Sequence, residues 1–176
     1  MERIKFNDLD FEFRDLSFSE MNNVDDSERS PEFEKQNAKY RLLGFKKENT
    51  TFYQSFDLTD DIYTFCRNLF NNYSASIIKQ TPGNTIPAHT DTFYNFCKKN
   101  NSRPDDTIRV NIFLETWKTG HYFEIDNTPV LNWDKGDAII IPYGVEHLSG
   151  NMGKEPKYTM QITGLKHEFT RSQASI

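Results

Sequence analysis

The sequence predicts a mainly β protein with supporting helices, an antiparallel sandwich or barrel in a single domain. Three observations carry that expectation. From Tyr73 onward, short apolar or alternating stretches recur between turn-forming clusters such as Thr81-Pro-Gly-Asn84, Lys118-Thr-Gly120 and Asp134-Lys-Gly136. One stretch, Leu58 to Asn72, has the period of an amphipathic helix and precedes those strands. The length of 176 residues suits one domain with a real core and is short for two.

Taken in order, residues 1–36 open with Ile4, Phe6, Leu9, Phe11 and Phe13 partly alternating with polar residues, which predicts extended structure. Asn22 to Pro31 is polar and reads as a loop. Lys39–Phe45 and Thr51–Phe56 read as two short strands joined by a turn at Lys46–Asn49. In the helix from Leu58, Ile62, Phe65, Cys66, Leu69 and Phe70 share one face, Thr59 can cap the start, and Asp60 and Asp61 suit the first turn. Ser74–Gln80 is a strand, and Phe93–Arg103 reads as a short helix or a loop. Thr107–Thr116 alternates, with Val110, Ile112 and Leu114 opposite Arg109, Asn111 and Phe113. Tyr122–Ile125 and Val130–Trp133 flank a turn at Asp126-Asn127. The apolar run Ala138–Ile141 predicts a strand buried on both faces, and Lys157–Thr163 is the last clear strand.

Composition narrows the function classes. Residues 1–35 hold 11 acidic and 5 basic residues within a chain of net charge -5, a balance opposite to the basic face of a nucleic-acid binder. No apolar run reaches the length of a membrane span, and the first residues lack the apolar core of a signal peptide. The two cysteines, Cys66 and Cys97, are too few for a disulfide framework, and Cys66 lies on the apolar helix face. A cytoplasmic protein with reduced thiols, acting on a small-molecule or peptide substrate, is the expectation; the oligomeric state is left open.

The chemistry centres on Thr85-Ile-Pro-Ala-His-Thr-Asp-Thr92. Residues two apart on an extended segment face the same way, so His89 and Asp91 present an imidazole and a carboxylate together. Of the four histidines, His147 follows the buried strand after Pro142-Tyr-Gly-Val-Glu146, and the 55 residues between Asp91 and His147 suffice for several strands that return the chain to the same mouth. His89, Asp91 and His147 then form a two-histidine, one-carboxylate face with open positions, a set that suits ferrous iron used for oxygen chemistry. His121, at a turn, and His167, in the polar tail, have no ligand-like spacing around them. Phe93, Tyr94 and Phe96 read either as a substrate wall or as packing beneath a loop.

These residues, with several motifs in order, make the segment Ile77–Gly164 resemble the iron(II)- and 2-oxoglutarate-dependent oxygenases, particularly their prolyl-hydroxylase-like branch. Pro82-Gly83 precedes His89, Arg109 opens a strand, Gly120 precedes Tyr122 and Phe123, and Lys135-Gly136-Asp137 leads into Ala-Ile-Ile-Ile-Pro142. Lys157 lies ten residues after His147, near where the family places a basic residue, with Thr159 two further along. The resemblance implies a double-stranded β-helix core (jelly-roll, cupin-like) over residues 73–165, preceded by an N-terminal α/β segment, 1–72, and followed by a polar tail, 166–176. It also implies Fe(II) at His89, Asp91 and His147, with 2-oxoglutarate and O2 as cosubstrates. Oxidative decarboxylation of 2-oxoglutarate to succinate and carbon dioxide would drive hydroxylation of a substrate C–H bond. Lys157 and Thr159 are the implied partners of the distal carboxylate. Arg109, with Asn111 facing the same way, is the competing anchor, because a guanidinium grips a carboxylate with two bonds. Gln80 stands where the branch usually has a tyrosine, and Gly120-His121 stands where a glycine pair is common. A cupin-like binding or structural module, and a zinc hydrolase using the same three ligands, are the alternatives.

Overall fold

The computed structural model describes residues 2–7, 9–24, 31–170 and 174–175. In chain order the elements are β1 (Glu2–Phe6), β2 (Ser19–Asn22), α1 (Pro31–Leu42), α2 (Lys47–Thr50), β3 (Thr51–Ser55), α3 (Asp60–Leu69), β4 (Tyr73–Gln80), β5 (Thr85–His89) and α4 (Tyr94–Asn100). There follow β6 (Thr107–Phe113), β7 (His121–Ile125), β8 (Thr128–Val130), β9 (Asp137–Pro142), β10 (His147–Asn151), β11 (Lys157–Leu165) and the short β12 (Ala174–Ser175).

The strands form two antiparallel sheets, one in the order β12-β1-β9-β6-β11-β4-β3-β2 and the other β5-β10-β7-β8. From β4 onward the chain crosses back and forth between them: β4, β6, β9 and β11 lie in the large sheet, and β5, β7, β8 and β10 in the small one. That alternation is the winding of a double-stranded β-helix, a jelly roll.

Side-chain alternation assigns each face of the large sheet. Val110, Ile112, Ala138, Ile140, Met160 and Ile162 point outward and pack under α3, whose Ile62, Cys66 and Leu69 are buried against them. Phe113, Ile139 and Ile141 point inward and pack with Phe123, Ile125, Val130 and Trp133. β9 is thus buried on both faces, which explains its unbroken apolar sequence. On β11 the outward residues are apolar, while the intervening Lys157, Thr159, Gln161 and Thr163 give the interior a polar strip.

Two sequence expectations change. Lys39–Phe45 is not a strand: Pro31–Leu42 is a helix, closed by a turn in which Gly44 adopts a φ of 87°. Proline at the first helical position and lysine and arginine in the last turn favour that helix. Among its residues with described side chains, those it buries are Asn37 and Tyr40. Val130–Trp133 is not a strand either. Asp126 and Asn127 both have positive φ and make a tight hairpin, so β8 starts at Thr128 and ends at Val130. Trp133 lies beyond it and stacks on Phe113 at 4.0 Å between ring centroids.

Gly136 fixes β1 to the core. Its φ is 91°, and a Cβ there would lie 2.0 Å from the carbonyl oxygen of Phe6, whose amide donates to the Gly136 carbonyl at 2.9 Å.

Candidate metal centre

The two sheets bring the site together at the β5–β10 pair. His89 is the last residue of β5 and His147 the first of β10, and the register sets them directly opposite each other. Their rings are 4.2 Å apart between centroids. Asp91 follows on a turn that enters α4 through Phe93, a buried residue held in the left-handed region at φ 53°. His89, Asp91 and His147 each offer a ligand atom, and these atoms lie within 4.8 Å of one another.

The surroundings prepare each group for a cation. His89 Nδ1 pairs with the Pro87 carbonyl at 2.8 Å and His147 Nδ1 with the Val145 carbonyl at 3.2 Å. With Nδ1 as the donor in both bonds, each Nε2 keeps its lone pair for the centre of the site. Burial, followed for His147 by the neighbouring His89, pushes both imidazoles down, His147 to about 4, so both are neutral at pH 7. Burial works to raise the Asp91 carboxyl. Arg109, then the two histidines, outweigh it and hold that carboxyl below its usual range. Arg109 donates to Asp91 Oδ1 at 2.7 Å. Asp91 Oδ2 and His147 Nε2 are both buried, face each other at 3.8 Å, and have no hydrogen-bond partner among the described residues. Two neutral imidazoles, an ionised carboxylate and two orphaned atoms aimed at one point fit a divalent metal.

A cavity of about 190 Å³ opens beside this triad. Asn111 and Thr159, from the inner face of the large sheet, line it, as do Ser149 and Thr90. Thr90, between the two ligands, is exposed and lines the cavity as well. The other wall comes from the N-terminal segment, through Asn23, Gln36, Asn37, Tyr40, Phe52 and Gln54. The Tyr40 hydroxyl donates to the carbonyl of Ala88, immediately before His89, at 3.1 Å. Sequence reasoning missed this wall; the available signal was Asn37 and Tyr40 three apart in a polar stretch, which share a helix face. Phe93 and Phe96 pack with Cys97 beneath the loop, Tyr94 is exposed, and none of these three aromatics lines the cavity.

The remaining sequence candidates separate into two groups. Asn111 and Thr159 border the cavity, and Arg109 borders it while paired to Asp91. Lys157 and Gln80 stand one layer deeper, behind Ser149. Lys157 is 2% exposed and its amine donates to the Tyr122 carbonyl at 2.7 Å, the Gly150 carbonyl at 3.3 Å and the Ser149 hydroxyl. The Ser149 hydroxyl in turn donates to Gln80 Oε1. No carboxylate pairs with Lys157 among the described residues, and burial pushes its amine down to about 7. His121 is buried and bonded to the Glu155 carbonyl at 3.1 Å, outside the cavity.

No protein-family model matches the chain. No curated protein matches it in sequence. Among solved structures, the chain is similar to a predicted oxalate decarboxylase from Thermotoga maritima, with 14% identity and a TM-score of 0.44 over 65% of this chain and 81% of that one. It is also similar to the cupin domain of Cnp3 from Schizosaccharomyces pombe, with 12% identity and a TM-score of 0.43 over 66% of each chain. KdgF from Halomonas sp. has 9% identity and a TM-score of 0.43 over 65% of this chain and 79% of its own. The double-stranded β-helix assignment stands on the strand order itself, and no helix among the described residues is long and apolar enough to cross a membrane.

Proposed function

We propose that the protein is an Fe(II)- and 2-oxoglutarate-dependent oxygenase that hydroxylates a C–H bond of a small molecule or peptide side chain. The observation that carries the metal half of this reading is the His89–Asp91–His147 set, with its neutral imidazoles, ionised carboxylate and unpartnered Asp91 Oδ2 and His147 Nε2. The cosubstrate half rests on the resemblance of Ile77–Gly164 to that family. It is supported by Lys157, buried behind Ser149 and without a carboxylate partner among the described residues.

Bound ferrous iron would supply oxygen activation, with 2-oxoglutarate giving succinate and carbon dioxide as one oxygen atom enters succinate and the other the substrate. The chain's own contribution is positional. His89 and His147 hold their Nε2 lone pairs toward the centre of the site through their Nδ1 bonds, and Arg109 binds Asp91 Oδ1, which leaves Oδ2 as the atom that would hold the metal. Thr159 and Ser149 form the wall that a distal carboxylate would meet, with Lys157 directly behind Ser149. A carboxylate there would replace the serine hydroxyl as acceptor for the Lys157 amine and restore its full charge.

Anaerobic titration tests this reading. Fe(II) and 2-oxoglutarate together should give the protein a weak visible charge-transfer band that needs both, and His89→Ala or Asp91→Ala should remove it. Iron binding with no band on adding 2-oxoglutarate would contradict the cosubstrate assignment.

A further inference from the structure

The alternation of β11 turns Lys157 inward, where it is surrounded by neutral groups. Its amine donates to the Tyr122 and Gly150 carbonyls and to the Ser149 hydroxyl, and the Trp133 ring lies 5.9 Å away. The elements packed around it bring no counter-charge. On β4 its strand partner is Gln80, and on β10 it meets Ser149 and Gly150. On β7 the Tyr122 hydroxyl is bonded to Glu124, and His121 is kept neutral because burial holds its imidazole below the usual range. Glu155 reaches His121 through its carbonyl only, its carboxylate being paired with Lys118. On the cavity side, Arg109 and Asp91 are paired with each other. Ser149 lines the cavity and Lys157 does not, so one hydroxyl separates the amine from it. That hydroxyl donates to Gln80 Oε1, while Gln80 Nε2 donates back to the Ser149 carbonyl at 3.2 Å. Ser149 therefore keeps a partner when its bond to the amine is given up.

We propose that a carboxylate entering this cavity displaces the Ser149 hydroxyl from Lys157, and that the amine takes up one proton as it pairs, so that protonation of Lys157 regulates cosubstrate binding. The proposal deepens the oxygenase reading, and rests on it only for the identity of the anion. A buried ammonium without a counter-charge is costly even when its N–H groups are bonded, so the free site favours the neutral amine. Burial accordingly pushes the amine down to about 7. A carboxylate reverses that balance, because an opposite charge at hydrogen-bond distance favours the charged form. The proton comes from solvent and goes to the lone pair of Nζ. The same wall offers the anion neutral donors as well. Thr159 lines it with a hydroxyl, and the buried Asn111 Nδ2 has no hydrogen-bond partner among the described residues. The sign follows directly. Below the free amine's titration the lysine is already charged, and binding takes up no proton. Above it the free lysine is neutral and the bound one charged, so affinity falls as pH rises.

Calorimetric titration of Mn(II)-loaded protein with 2-oxoglutarate, in buffers of different ionisation enthalpy, counts the protons. Glutarate, of the same length but without the keto group, is the second probe. Binding should take up about half a proton at pH 7 and close to one at about pH 8.5, with affinity falling about tenfold per pH unit above about pH 8. Ser149→Ala removes one of the amine's three acceptors, so the free amine is more fully neutral and uptake at pH 7 should rise above one half. Lys157→Met should remove the uptake and the pH dependence. The wild-type proton count decides the proposal by itself, whether or not that variant folds. Binding of either probe without proton uptake at about pH 8.5, uptake that persists in folded Lys157→Met, or no binding of either probe at millimolar concentration would overturn it. The oxygenase reading fails separately: glutarate that binds with proton uptake while 2-oxoglutarate binds no more tightly would uphold the lysine site and remove the keto acid from the metal.

Discussion

Arg109 shows most clearly how one residue's role depends on its fold. In the sequence it is a cation on an alternating strand, a candidate anchor for a cosubstrate carboxylate. In the structure its guanidinium binds Asp91 at 2.7 Å, its Nε reaches Thr163 at 3.4 Å, and it lies over the Phe93 ring at 5.6 Å. The strand position was legible, but the partner was not, because Asp91 is brought to it by a turn through Phe93 that no local pattern announces. A charge-assisted bond to one carboxylate oxygen leaves the other for the metal. Arg109→Leu should therefore weaken Mn(II) or Fe(II) binding by roughly 10- to 100-fold, the usual scale for losing such a supporting bond. Arg109→Lys should recover part of that loss, because it keeps the charge without the planar fork. Equal metal affinity in wild type and Arg109→Leu, measured by equilibrium titration, would reject this role.

At the scale of elements, the sequence revealed those whose apolar period matches their burial. Helix α3, strand β6 and strand β9 fall where the pattern puts them, because each buries an apolar face. Helix α1 was missed because its sequence carries no apolar stripe, and the buried residues among its described side chains are Asn37 and Tyr40. Strand β10 was missed because His-Leu-Ser-Gly-Asn shows no alternation, its inward residues being a ligand and polar groups. Both omissions fall at the site, where function replaces the apolar pattern. The bond from Tyr40 to the Ala88 carbonyl joins α1 to the strand that carries His89. Tyr40→Phe should cost about 1 kcal/mol in urea denaturation, the net worth of one such bond. An unchanged midpoint would show that α1 does not depend on it.

At the scale of the whole molecule, the double-stranded β-helix brings two distant segments to one mouth; the short strands and turns of the sequence predicted an antiparallel sandwich or barrel, and the specific winding came from the resemblance of Ile77–Gly164. The same architecture buries two histidines together, with a consequence for acid stability. His147 is pushed down to about 4 and His89 is lowered as well, whereas an unfolded histidine titrates near 6.5. Between those values the unfolded chain binds more protons than the native one, so the metal-free protein should lose stability as pH falls from about 6.5 towards 4. Metal binding needs the same neutral imidazoles, so the rise in Tm on adding Mn(II) should shrink across that window. Scanning calorimetry with and without metal measures both, and a His147→Leu variant should show a shallower acid loss. A metal-induced rise in Tm that does not change with pH would remove the histidines from the metal site.

Succinate production tests the central claim most directly. Protein loaded with Fe(II) should convert 2-oxoglutarate to succinate and carbon dioxide only when O2 is supplied, and His89→Ala, Asp91→Ala and His147→Ala should each abolish it. Iron-loaded, folded protein that forms no succinate in air, or succinate that persists in the three variants, would contradict the account.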